Sequence, residues 1–85
     1  MGNVESFTDM GVWKKAHRLV ISIYRLTKQF PSDEKFGLIS QMRRASVSVP
    51  ANIAEGFFRR SRKDKANFYV IAQSSLQELR YYLIL

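Results

Sequence analysis

Val12-Trp13-Lys14-Lys15-Ala16-His17-Arg18-Leu19-Val20-Ile21-Ser22-Ile23-Tyr24-Arg25-Leu26-Thr27-Lys28-Gln29-Phe30-Pro31 is the stretch that decides the fold class. Val12, Ala16, Leu19, Ile23, Leu26 and Phe30 recur at alternating spacings of four and three, which places them on one stripe of a helix. Pro31 ends that helix, because the residue before a proline is pushed out of helical geometry. The reading extends outward from here. Ser32 serves as an N-cap, with Asp33 and Glu34 placed where the helix dipole favours negative charge. Ile39, Met42, Ala45 or Ser46, Val49 and Ile53 repeat the stripe in a second helix, in which Pro50 predicts a kink or break near residues 46–50 and Gly56 a weak point near the end. Ser61, three residues before Asp64, resembles the acidic form of a capping box and opens a third helix, with Phe68, Ala72, Ser75 or Leu76, Leu79 and Leu83 as its stripe.

The expected architecture is all-α: one antiparallel, up-and-down bundle domain spanning residues 1–85. Residues 1–9 form a lead-in, and helices span about 10–30, 33–57 and 62–85, the second kinked near Pro50. No strand-like alternation, tandem repeat or second domain is visible. A chain of 85 residues is near the lower end of what buries a sufficient core alone, so a partner subunit is expected to help. The last residues, Tyr81-Tyr82-Leu83-Ile84-Leu85, carry no helix-stop signal and are apolar on every face of the turn. Another helix or a neighbouring subunit is expected to cover them, with Phe68, Tyr81, Tyr82, Leu83 and Leu85 as the oligomer interface.

Composition excludes several classes of function. With no cysteine and one histidine, there is no disulfide framework, Cys-based zinc site or thiol nucleophile, and neither a metal nor another cofactor is expected. No apolar run approaches the roughly 20 residues that cross a bilayer, and the start of the chain lacks a secretory pattern, so a cytoplasmic location without membrane association is expected. Met1-Gly2-Asn3-Val4-Glu5-Ser6 fits the loose myristoylation pattern, but a single acyl chain anchors poorly. Asn52 and Glu55 lie one turn apart, yet no second carboxylate, nucleophile or phosphate-cradling loop joins them, and the expectation is a non-enzyme. Asn52 is instead expected to bond backbone freed by Pro50, and Glu55 to pair with Arg59 or Arg43.

Charge is the strongest compositional signal. Fourteen Lys and Arg against seven Asp and Glu give a net +7, which points to a polyanionic partner. Arg59, Arg60, Arg62, Lys63 and Lys65 crowd the start of the third helix, where cations oppose the dipole but free N–H groups attract anions. Lys14, Lys15, Arg18 and Arg25 stand on a first helix that has no acidic residue between Met10 and Ser32, and Arg43 and Arg44 stand on the second. These residues are the candidate nucleic-acid ligands, with binding that weakens steeply as salt rises. The competing reading is a solvated, charged surface. Phe57, Phe58, Phe68, Tyr69, Tyr81 and Tyr82 are better explained by core or subunit interface than by base stacking. Trp13 reads as a core anchor and His17 as a helix-surface residue.

The sequence also resembles a known family. Trp13-Lys14-Lys15-Ala16-His17-Arg18-Leu19, Phe30-Pro31, Phe36-Gly37-Leu38, Gln41-Met42-Arg43-Arg44-Ala45, Ser46-Val47-Ser48-Val49-Pro50 and, above all, Asn52-Ile53-Ala54-Glu55-Gly56 resemble the 23S rRNA intervening-sequence proteins. The likeness continues through Lys63-Asp64, Phe68-Tyr69, Ser74-Ser75-Leu76 and Glu78-Leu79, covering nearly everything from residue 7 onward. The resemblance implies a four-helix-bundle type fold of which this chain holds three helices, and homo-oligomers, typically pentameric rings. It implies no defined activity. A structurally similar accessory protein of diversity-generating retroelements binds a reverse transcriptase and nucleic acid. The expected function is a homo-oligomeric, basic, non-enzymatic subunit that binds RNA or DNA. The alternative is a protein-interaction scaffold or accessory subunit that serves a nucleic-acid-handling enzyme, such as a reverse transcriptase, without touching nucleic acid.

Overall fold

The structure, a computed structural model, describes residues 6–85, with every side chain among them except those of Glu34, Lys35 and Phe36. The Met1–Ser6 acylation pattern falls almost wholly outside the described residues. A short 3-10 turn, Phe7–Asp9, leads into α1 (Gly11–Thr27); a 3-10 turn at Ser32–Glu34 and a π-helical segment at Lys35–Ile39 lead into α2 (Ser40–Phe58); α3 spans Arg62–Ile84. The described residues form an all-helical bundle. Ala16 packs with Val49, Ile53 and Ala72, whereas Ile23 packs with Met42, Ala45 and Leu79. Residue numbers that rise along α1 and α3 therefore meet numbers that fall along α2, which is the up-down-up order of an antiparallel bundle.

α1 ends earlier than Pro31 requires. Thr27 is 1% exposed, and its hydroxyl donates to the carbonyls of Ile23 at 2.8 Å and Tyr24 at 3.2 Å. Such back-bonding competes with the helix ladder. From there the amides of Gln29 and Phe30 reach carbonyls three residues back, tightening the chain into turns before Pro31. The inward side of α1 is Ala16, Ile23 and Thr27, with Leu19 packed against it. Val12 and Leu26, expected on the core stripe, are 55% and 39% exposed. A threonine that can satisfy its hydroxyl on its own helix replaces an apolar residue at a core position.

The entry to α2 also departs from expectation. Instead of a single helix starting at residue 33, the chain winds as a 3-10 turn, then as a π-turn, and only then as an α-helix. The wider π-turn shifts the register so that Ile39 is buried and Leu38 packs against the core. Pro50 is buried and does not interrupt α2, which is one α-helix from Ser40 to Phe58. Pro50 removes the amide that would bond the Ser46 carbonyl. Asn52 does not repair that loss: its Nδ2 donates to the Ser48 carbonyl at 2.7 Å and to Ser48 Oγ at 2.9 Å. The expectation fails because Asn52 lies one helical turn past Ser48 and six residues past Ser46.

α2 runs between the other two helices, and α3 lies closest to it. Gly56 explains part of that closeness: a Cβ there would come within 2.6 Å of Tyr69 Cε1. Gly56, near the end of α2, is thus also a contact position where the missing side chain leaves room for the Tyr69 ring. Ser48 and Ser75 hydroxyls meet at 2.8 Å across the same pair of helices. Ser61 caps α3 as its sequence indicates, its Oγ accepting from the Asp64 amide at 3.0 Å. Met42 and Leu79, each 1% exposed, are the largest buried apolar side chains.

Candidate nucleic-acid interface

The antiparallel order gathers the cations at two ends of a body 45 × 25 × 18 Å in extent. At one end, Phe7 joins the start of α1 to the end of α2, its ring 5.4 Å from Trp13 and 5.8 Å from Phe58. That edge-to-face cluster brings Lys14, Lys15 and Arg18 to the same end as Arg59, Arg60, Arg62 and Lys63. At the other end, Tyr24 of α1 meets Arg43 of α2, with Arg25 and Arg44 nearby in sequence. Arg43 and Arg59 are separated by about 24 Å at the usual rise of about 1.5 Å per helical residue.

The basic candidates divide by what already holds them. Lys65 donates to the carbonyls of Gly56 at 3.2 Å and Phe57 at 2.9 Å, so it satisfies the last turn of α2. Arg59 pairs with Glu55 at 2.9 Å and lies 4.7 Å over the Phe68 ring. Arg43 donates from Nε to Thr27 Oγ1 at 2.9 Å and lies 4.5 Å over the Tyr24 ring. The remaining candidates, Lys14, Lys15, Arg18, Arg25, Arg44, Arg60, Arg62 and Lys63, are exposed. Arg59–Lys65 is thus not a run of five equivalent cations. Two members close the α2–α3 corner, and Arg60, Arg62 and Lys63 face water.

The aromatic residues divide similarly. Trp13 packs against the core at Ala16 and stacks on His17 with ring centroids 5.0 Å apart and planes 7° from parallel. Phe58 is 68% exposed and Phe57 half-buried. Tyr82 packs against the core below Leu79, and its hydroxyl donates to Glu78 Oε1 at 2.7 Å. That bond, with lesser effects of burial and the Glu78 charge, lifts the phenol above its ordinary pKa. Of the expected interface residues, Phe68 and Tyr82 are half-buried within the chain, and Tyr81, Leu83 and Leu85 are exposed.

Between α1 and α3 the surface is apolar and open. Met10, Val12, Tyr69 and Leu76 border one hollow of about 350 Å³, and Leu19, Leu76 and Leu83 border another of about 330 Å³. Leu76 belongs to both, so the two hollows form one trough along the seam. No helix among the described residues is long and apolar enough to cross a membrane.

Residues 8–85 match the family model of the 23S rRNA-intervening sequence protein. The chain belongs to that family. Comparison with curated proteins finds no match. In this member of the 23S rRNA-intervening sequence family, the Asn52–Gly56 segment that marks the resemblance has a structural job at four of its five positions. Asn52 holds Ser48, Ile53 is 5% exposed, Glu55 pairs with Arg59, and Gly56 admits Tyr69. Sequence reasoning missed the Thr27–Arg43 bridge. Its only trace was a threonine where the apolar stripe should have continued, a signal too common to single out.

Proposed function

We propose that the chain is a non-enzymatic subunit that self-associates through the α1–α3 trough and binds the phosphate backbone of RNA or DNA through its exposed Arg and Lys side chains. One observation carries the reading. The chain has a net charge of +7, and among the described residues Arg59–Glu55 is the only ion pair. A merely solubilising surface mixes both signs. Here Arg60, Arg62 and Lys63 crowd one short corner, and their mutual repulsion is relieved by a polyanion. The separation of the two cationic ends, about 24 Å along α2, suits an extended partner that touches both. A cytoplasmic location fits this partner.

The test is a salt titration of binding to unrelated single- and double-stranded oligonucleotides, followed by fluorescence anisotropy. Wild type is expected to bind at low salt and to weaken linearly on logarithmic axes. The combined Arg60→Ala, Arg62→Ala and Lys63→Ala variant is expected to lose about 2–3 from the slope, since each neutralised phosphate contributes roughly 0.7–0.9. Absence of any binding at low salt sinks the reading and leaves the protein-scaffold alternative, for which the open trough and the exposed Phe58 are the supporting features.

A further inference from the structure

Arg43 is, with Lys65, one of two half-buried cations held by neutral groups among the described residues, and the one that is a guanidinium. It is half-buried, and the groups that fix it are both neutral: the Thr27 hydroxyl on Nε at 2.9 Å and the Tyr24 ring at 4.5 Å. A guanidinium that gives up part of its hydration is ordinarily compensated by a carboxylate. None is paired with it among the described residues. Thr27 is itself locked, because its hydroxyl proton is committed to the carbonyls of Ile23 and Tyr24, leaving the oxygen to accept from Arg43. With Nε and one ring face engaged, Arg43 keeps its two terminal nitrogens for a further acceptor.

Arg43 borders an open groove of about 610 Å³ together with Tyr24, Ile39, Ser40, Arg44, Val47 and Ser48. The groove is a shallow surface hollow open to solvent, a shape that admits an extended strand. Its lining includes Arg43, Arg44, Ser40 and Ser48, no carboxylate, and an apolar floor of Ile39 and Val47. Tyr24 is 38% exposed, which leaves part of the ring uncovered beside the cation.

Resting on the nucleic-acid reading above, we infer that this groove is a phosphate subsite for a polynucleotide strand, in which Arg43 is a fixed bidentate fork and Arg44 and Ser40 supplement it. The charge favours phosphate over a side-chain carboxylate. Two cations with hydroxyl support exceed what one carboxylate can use, whereas a phosphate offers more acceptor oxygens and takes a guanidinium bidentately. Pre-ordering is the second argument. An exposed lysine must be immobilised when it binds, while Arg43 is already held and contributes its hydrogen bonds without that cost. Tyr24 and the apolar floor carry the adjoining sugar or base.

Two variants test this, both read by anisotropy with a labelled oligonucleotide and by thermal melting. Arg43→Lys keeps the charge and removes the fork, and is expected to weaken binding about tenfold, the loss of one charged hydrogen-bond pair, with the salt slope unchanged. Val47→Glu leaves Arg43 intact and places a carboxylate one turn away on the groove floor; it is expected to weaken binding at least as much while the melting temperature holds. Should Arg43→Lys fail to fold, Val47→Glu alone decides. The Arg43 Nε–H resonance is followed while inorganic phosphate, a mononucleotide, an oligonucleotide and an oligo-glutamate peptide are titrated in. The oligonucleotide is expected to shift it at the lowest concentration. Wild-type affinity in both variants overturns the inference, as does a stronger response to the peptide, or to phosphate or mononucleotide, than to the strand. If wild type binds and only the Arg60, Arg62 and Lys63 replacements matter, the groove falls and the broader reading stands; if wild type binds nothing, both fall.

Discussion

At the scale of single residues, Gly56 shows how one missing side chain makes room for an aromatic ring from the next helix. Alanine there is worth about 1 kcal/mol in helix propensity, but its Cβ would sit 2.6 Å from Tyr69 Cε1, an overlap that costs about 1–3 kcal/mol if the ring must move. Tyr69 is 37% exposed, so the ring has somewhere to go, and the two effects compete. Gly56→Ala is expected to be destabilising in the wild-type chain and stabilising when combined with Tyr69→Ala. Urea unfolding of the four members of that cycle reads the coupling directly. A destabilisation that is the same with and without the Tyr69 ring would remove the steric account. The sequence shows the glycine near the end of its helix but not its contact. Its partner lies 13 residues away on another helix, and nothing in local spacing announces a helix crossing.

At the scale of elements, starts were more legible than ends. The Ser61–Asp64 pair named the first turn of α3, and the structure has the bond at 3.0 Å. Ser61→Ala is expected to cost about 1 kcal/mol, and a urea midpoint unchanged from wild type would show the cap to be idle. Pro31 announced a stop for α1 but not its place, because the buried Thr27 hydroxyl turns the chain before the proline acts. The π-turn of Lys35–Ile39 had no signal at all, since the apolar pattern at Leu38 and Ile39 fits either helix type. Pro50 was read by its local penalty alone. The expected break does not occur: α2 is one helix through the buried Pro50, tertiary contacts outweighing a local preference.

At the scale of the whole molecule, three helices read from apolar periodicity became three helices in an antiparallel bundle, and the residues nearest the core axis, among them Ala16, Ile23, Met42, Ile53 and Leu79, came from the expected stripes. The stripes were wider than one chain can cover. Val12, Leu76 and Leu83 remain 55%, 41% and 50% exposed along the α1–α3 trough. Leu83→Lys is expected to shift the molecular mass in light scattering toward a smaller assembly while leaving helical content unchanged. Wild type that is already a monomer at high concentration would contradict self-association through this face. The cationic candidates were legible as a set, but their division was not. Whether an arginine closes a corner, bridges two helices or faces water depends on which carbonyl, ring or hydroxyl the fold brings beside it.

The central position of α2 has a kinetic corollary. α1 and α3 each lean mainly on it, so the first helix can lift away, losing its packing on α2 and the Ala16–Ala72 and Ile23–Leu79 core contacts, while the Ser48–Ser75 and Gly56–Tyr69 contacts persist. Amide protons of α1 should therefore exchange through a sub-global opening of lower free energy than those of the remaining hairpin. The Thr27–Arg43 bond spans that interface and is expected to break in the opening, so a ligand seated in the neighbouring groove is expected to slow amide exchange along α1.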